Sequence, residues 1–248
     1  LRSQALRDPD RARRLQGASR LALARLVSAA IEEDVAAVLL AGDIFDNRVG
    51  DVTSRVALAT ELRRLSRAGI ATVMIRGNHD ALLDYTRYGP LEEGVVILDA
   101  ARPTLHVRGV AIHGIGFEER HVASSLLPRY PAAEPGLVNI GLMHTSLGGA
   151  EGHDPYAPCS EADLLGHGYD YWALGHIHKR FERRSETTLA VMPGIPQGRH
   201  AGETGRGSAT LVEIDANGVR AREIALGAVA FETIDVDLAR AASLGERQ

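Results

Sequence analysis

The stretch ALGHIHKR, residues 173–180, leaves an apolar run and at once places two histidines, His176 and His178, with one residue between them. In extended chain, alternate side chains share a face. The pair therefore reads either as two metal ligands or as two surface histidines in a turn. Three earlier apolar runs end in the same manner: VAAVLLAGD (35–43) passes into AGDIFDN (41–47), IATVMIRGNHD (70–80) ends in RGNHD, and GLVNIGLMHTS (136–146) ends in LMHTS. Short, nearly uninterrupted apolar runs suit strands buried on both faces. In open α/β sheets, sites form beyond the carboxyl ends of the strands, so these four ends can converge on one point.

Between the first runs lie helical patterns. Ser19 is an expected N-cap, followed by Leu23, Leu26, Val27, Ala30 and Ile31 at helical spacing. DVTSRVALATELRRLSRAG (51–69) is a second amphipathic helix with Gly69 as its stop. Helix, strand, helix, strand is the order of an α/β sheet with a parallel portion. After about residue 90 the runs shorten. VVILDA (95–100), PTLHVRG (103–109) and VAIHGIGF (110–117) read as hairpins, and HVASSLLPRY (121–130) as a short helix. TTLAVMPG (187–194), GSATLVEID (207–215) and GVRAREIAL (218–226) read as antiparallel strands, with ANG (216–218) turning the last pair. We expect one domain over residues 1–226, incomplete at its N-terminus, and over 227–248 a linker or the start of a C-terminal cap region.

The bulk properties admit this reading. A chain of 248 residues can bury a sizeable core. It is 45% hydrophobic and 24% charged, with formal net charge −4, which does not advertise nucleic acid and does not exclude it, because bound cations would add positive charge. Cys159 is the single cysteine; an internal disulfide is ruled out, and a cytoplasmic, reducing setting is the expectation. No apolar run approaches the roughly 18 residues of a membrane span.

The strand ends offer Asp43, Asn78, His144, His176 and His178: one carboxylate, one amide oxygen and three imidazoles, without thiolate. Mixed N/O donors suit Mn, Fe, Zn or Ni. Five ligands exceed what one ion with an open position needs, and suggest two ions sharing a carboxylate. Such pairs clamp the oxygens of a phosphoryl centre and lower the pKa of a bridging water. Metal-assisted hydrolysis of a phosphate ester follows. GDxxD alone is a weak signal; GDxxD, GNHD, His and GHxH in this order, each closing a strand, is specific.

This ordered set resembles the calcineurin-like metallophosphoesterases. The segments EGHDPYAPCSEADLLGHGYDYWALGHIHKR (151–180) and PGIPQGRHAGETGRGSATLVEI (193–214) resemble the SbcD-like, YhaO-type branch of bacterial DNA-repair exonucleases. The resemblance implies a two-sheet β-sandwich flanked by helices in four layers, an α/β fold with a dinuclear site at the strand ends. It implies that Asp43 bridges the ions, that Asn78, His144 and His176 complete one shell, and that His178 serves the other ion. His79 would stabilise the transition state or protonate the leaving oxygen, with Asp46 holding its imidazole. The implied cofactors are two divalent ions, manganese first, with Fe, Zn, Ni or Mg as alternatives. DNA is the implied substrate, hydrolysed by a metal-bridging hydroxide; an SMC-like coiled-coil ATPase and a second copy of the chain are the implied partners.

The resemblance also implies a leading strand ending in Asp-x-His, two further ligands for the ion that His178 serves. Residues 1–18 hold no histidine. The expectation is therefore one well-formed metal position, a second reduced to Asp43 and His178, and weak hydrolysis by this chain. Two other functions stand beside the nuclease: a phosphatase or small-molecule phosphodiesterase on the same scaffold, and a non-catalytic binding protein. Among the remaining polar residues, Asp80 reads as a structural acceptor for loop backbone and His113 as a core or rim histidine. His106, His121, His153 and His167 read as solvated, Tyr171 and Trp172 as core, and Cys159 as a small buried residue. His200, Arg199 and Arg206 lie in a Gly-rich loop that is either solvated or a phosphate contact.

Overall fold

The computed structural model describes residues 9–45, 52–86, 90–148 and 156–235. Helix α1 spans Pro9–Glu32, strand β1 Ala37–Ala41, α2 Val52–Arg67, β2 Ala71–Ile75 and β3 Val95–Ile97. The three strands form a parallel sheet in the order β1-β2-β3. Strands β4 (Thr104–Val107), β5 (Val110–Gly114), β6 (Val138–His144), β7 (Tyr171–Gly175), β8 (Phe181–Arg184) and β9 (Leu189–Met192) form a mixed sheet ordered β4-β5-β6-β7-β9-β8. A short helix α3 (Glu161–Leu165) precedes β7, and β10 (Gly205–Asp215) with β11 (Gly218–Phe231) makes an antiparallel ribbon.

The two-residue side-chain period of each strand assembles the layers. Val73 and Ile75 of β2 face inward and meet Ile112 of β5 and Leu142 of β6, so the two sheets pack face to face. Met74, between them, faces the other way and packs with Leu58 and Leu62 of α2. Val27 and Ala30 of α1 join Leu65 of α2 and Val38 of β1. On the far side of the mixed sheet, Met143, Trp172 and Leu174 are covered by Phe117, Leu126, Leu127 and Leu164. The ribbon closes the β7–β9 end, where Val212, Ile214, Val219 and Ala221 pack against Tyr171, Leu189 and Val191. The result is a two-sheet sandwich flanked by helices. Among the described residues, no helix is long and apolar enough to cross a membrane.

Several local expectations are corrected. Ser19 lies well inside α1, because the helix begins at Pro9; a hydroxyl can cap only where the preceding backbone is not already helical. The run at 95–100 is not a hairpin arm, since β3 pairs parallel with β2. The run at 187–194 places β9 parallel to β7 and antiparallel to β8, so it is not simply antiparallel. The short helix expected over 121–130 shrinks to one 3₁₀ turn, Leu127–Arg129. Strand β11 continues through the boundary expected after residue 226, with Phe231 opposite Gly205. By contrast, β4 and β5 do form a hairpin, turned by Arg108 (φ 46°) and Gly109 (φ 82°). Gly69 (φ 72°) does end α2, with the Ile70 amide donating to the Leu65 carbonyl.

Candidate metal centre

Register brings the strand ends to one level. Ala41 pairs with Ile75 in the first sheet, and His144 pairs with Gly175 in the second. The sheets touch at these ends: a Cβ on Gly175 would collide with the Ala41 carbonyl oxygen and come within 2.9 Å of the Ala41 Cβ. A Cβ on Gly77 would fall into the Asp43 carboxylate and come within 2.7 Å of His144 Cε1. The glycines before Asn78 and His176 are thus close-approach residues, and they explain why the metal-capable residues follow glycine.

Asp43 leaves β1 with φ 54°, an unusual conformation for a side-chain-bearing residue. Its loop is held from the second loop. Asp80 is 1% exposed; its Oδ1 accepts from the Gly77 amide (2.7 Å) and the Asp43 amide (3.3 Å), and its Oδ2 from the Ile44 amide (2.9 Å) and the Tyr85 hydroxyl (2.5 Å). Asp80 is therefore the structural acceptor expected of it, and it also ties two loops together. In return, the His79 amide donates to Asp43 Oδ1 at 2.9 Å.

The decisive geometry surrounds His144, which is 1% exposed. Its Nδ1 lies 2.8 Å from the Ala41 carbonyl oxygen. A carbonyl only accepts, so Nδ1 carries the proton and Nε2 of the neutral ring is left with a lone pair. That lone pair faces Asn78 Oδ1 at 2.9 Å and Asp43 Oδ2 at 3.3 Å. With the ring neutral, three electron-rich atoms confront one another, and a cation placed among them would satisfy all three. A second imidazole belongs to the same group: among the described residues, Asp43, His144 and His176 can each present a ligand atom within 4.8 Å of the others. Burial by itself would raise the Asp43 carboxyl; the hydrogen bond and charge of the His144 ring in its protonated form, together with the His79 amide, more than offset it, and its pKa is lowered. The donor set of imidazole, amide oxygen and carboxylate fits a divalent transition ion.

The structure separates His176 from His178. Strand β7 ends at Gly175, and His176 has φ 103°, far from extended. Such a conformation costs on the order of 1–3 kcal/mol and persists where surroundings enforce it. The alternation argument for a shared face therefore fails: His176 turns into the centre, against the His144 ring (centroids 5.1 Å) and the Tyr156 ring (5.3 Å). His178 stands apart and exposed, its Nδ1 2.7 Å from Glu203 Oε1. His79 reaches the site through its amide. Asp46 lies outside the described residues. The structure brings Asp43, Asn78, His144 and His176 together, and His178, which the resemblance assigns to the other ion, lies outside that group.

Other expectations resolve here. His113 is fully buried between Thr104 Oγ1 (2.8 Å to Nδ1) and Asn139 Oδ1 (3.1 Å to Nε2), stacked on Tyr169, and so belongs to the core. His167 is not solvated as expected; it packs among Tyr130, Tyr169 and Trp172. Cys159 is buried and its thiol is pushed up to about 11 by burial, which suits packing and not nucleophilic attack. Glu203, Tyr85 and Tyr156 carried no signal in sequence; only their contacts mark them.

Comparison with known proteins agrees with this geometry. The profile of the calcineurin-like phosphoesterases matches residues 17–180. The uncharacterized metallophosphoesterase YhaO of Bacillus subtilis is 36% identical over 197 residues, covering 76% of this chain and 48% of that protein. The DNA double-strand break repair protein Mre11 of Sulfurisphaera tokodaii is 30% identical over 164 residues, 63% of this chain and 42% of that one. Mre11 of Saccharolobus solfataricus is 29% identical over 182 residues, 69% and 46% respectively. The chain spans less than half the length of each of these relatives. With the profile covering most of the chain and the strand-end residues meeting in space, this protein belongs to the calcineurin-like phosphoesterase family, hydrolases of phosphate esters that use divalent metals.

Proposed function

We propose that this chain is the hydrolytic domain of a DNA-repair exonuclease, cleaving phosphodiesters with divalent metal, manganese by preference, in a reducing cytoplasmic setting. One observation carries the metal part: the buried His144 lone pair aimed at Asn78 Oδ1 and Asp43 Oδ2. The DNA part draws support from the Mre11 relatives, proteins of DNA double-strand break repair.

Asp43, Asn78, His144 and His176 would hold one ion, and Asp43 and His178 would serve a second. When bound, the ions supply Lewis-acid stabilisation of a phosphoryl oxygen and a nucleophile at neutral pH. The protein residues do the rest. Asp80 fixes the loop that aims Asp43. His144 keeps its tautomer through Ala41. His79 follows Asn78 in the loop whose amide binds Asp43, and we assign it the proton given to the leaving oxygen. A coiled-coil ATPase of the SMC type and a second copy of the chain are the proposed partners.

The test uses Mn²⁺ with end-labelled linear duplex DNA and, separately, bis-p-nitrophenyl phosphate. Metal-dependent shortening of the duplex, lost by at least 100-fold in Asp43→Asn and His144→Ala, is expected. Turnover of the small diester with intact DNA replaces the nuclease by a small-molecule phosphodiesterase. Bound Mn²⁺ without turnover of either substrate leaves a binding protein.

A further inference from the structure

The ring of His178 is exposed, yet its partner is not. The Glu203 side chain is 7% exposed, against 44% for His178. Surface His–carboxylate pairs contribute about 0–1 kcal/mol, too little to account for tucking a carboxylate away beneath one. The rest of its surroundings shows a built acceptor. Glu203 Oε2 accepts from the Arg199 amide at 2.6 Å. Its Oε1 takes His178 Nδ1 at 2.7 Å and faces the His200 Nε2 at 3.4 Å and the Arg199 guanidinium at 3.6 Å. His200 is turned to donate, because its Nδ1 accepts from the Gly202 amide at 3.2 Å. Burial would raise the Glu203 carboxyl; the Arg199 amide, the His178 bond and the nearby charges outweigh it, and its pKa is lowered.

The loop that carries Glu203 is itself anchored. Gln197 is buried, accepts from the Ala228 and Val229 amides (2.7 and 3.2 Å) and donates to the Gly198 and Val229 carbonyls (both 2.8 Å). At Gly194 (φ 79°) the same loop passes the His178 backbone so closely that a Cβ would lie 3.0 Å from the His178 carbonyl oxygen. The loop therefore meets His178 twice, by close backbone approach at Gly194 and by the Glu203 carboxylate.

A carboxylate only accepts, so the proton of the neutral ring is on Nδ1 and the Nε2 lone pair is left over. That is the arrangement in which a metal-binding histidine is oriented by an acid on its other nitrogen. We propose that Glu203 is a positioning residue that locks His178 into the Nδ1–H tautomer and presents Nε2 to a divalent cation. The inference rests on the proposed metal function, and it extends that function to the loop 193–205, which the strand-end residues do not include.

Two measurements test it. Long-range ¹H–¹⁵N spectra of the metal-free chain at pH 8 report the His178 tautomer directly. The Nδ1–H form is expected in the wild type and in Glu203→Gln, whose amide oxygen still accepts, and a shift toward Nε2–H in Glu203→Ala. Mn²⁺ titration of the full chain then forms a cycle with His178→Ala. Glu203→Ala should weaken the binding that His178→Ala removes by about 10–100-fold, should have no further effect in the His178→Ala background, and should be partly rescued by glutamine. An unchanged tautomer in Glu203→Ala, or equal losses of affinity in both backgrounds, overturns the inference. A wild-type chain that binds no Mn²⁺ overturns the proposed function, and the imidazole spectrum still decides the role of Glu203.

Discussion

Replacing Asp80 by alanine tests whether two loops are held by one buried carboxylate. The side chain is 1% exposed and accepts three short hydrogen bonds, from Gly77 (2.7 Å), Ile44 (2.9 Å) and the Tyr85 hydroxyl (2.5 Å), with a longer one from Asp43 (3.3 Å). Hydrogen bonds to a charged group are each worth about 1.5–3 kcal/mol. They share one acceptor and water can re-enter, so their losses do not add fully. We expect Asp80→Ala to destabilise by about 3–5 kcal/mol, since three donors lose their acceptor at about 1–3 kcal/mol each with incomplete additivity. Against a typical total of about 5–15 kcal/mol, that is a large fraction. Asp80→Asn keeps one acceptor oxygen and should cost about 1–2 kcal/mol. Tyr85→Phe removes one donor, and its loss should largely vanish in the Asp80→Ala background, since the phenol then has no carboxylate to meet. Equilibrium urea denaturation of the wild type and these four variants measures all of this. An Asp80→Ala loss under about 1 kcal/mol, or additivity with Tyr85→Phe within about 0.5 kcal/mol, would refute the idea that this carboxylate holds the loops together.

Two further outcomes follow from the geometry. Gly77→Ala puts a methyl group where the Asp43 carboxylate lies; calorimetric Mn²⁺ binding should fall at least 100-fold, whereas Gly17→Ala, with nothing within 4 Å of its added Cβ, should leave binding intact and stabilise by about 0.5–1 kcal/mol. Burial, partly countered by Asn139, lowers the His113 pKa from its ordinary 6.5, so between the folded value and 6.5 the unfolded chain binds more protons. Stability from His113 is then complete above pH 6.5 and declines as pH falls toward the folded value, by at most about 1.4 kcal/mol per pH unit for one proton. The urea midpoint followed from pH 8 to pH 5 should show a shallower slope in His113→Gln; identical slopes would disprove the assignment. Glu203, a carboxyl held low, acts only below about pH 4.5 and does not confuse that window.

Local chemistry determined much of this protein. Apolar runs of strand length, amphipathic spacing in α2, the Gly69 stop and the metal-capable residues that close four of the strands are all written in neighbouring residues, and they bring Asp43, Asn78, His144, His176 and His178 forward as candidate ligands. Tertiary structure alone decided how those pieces partition: β3 joins β1 and β2, and β9 slots between β7 and β8. It also decided the tautomer of His144, through a carbonyl 103 residues away, and the parting of His176 from His178, through a positive φ that alternation does not foresee. Asp80 as a tie between loops and Glu203 beneath His178 were out of reach for the same reason. Period and turn chemistry act over a few residues, whereas hydrogen bonds to Asp80 and Glu203 join loops that become neighbours only once both sheets have packed.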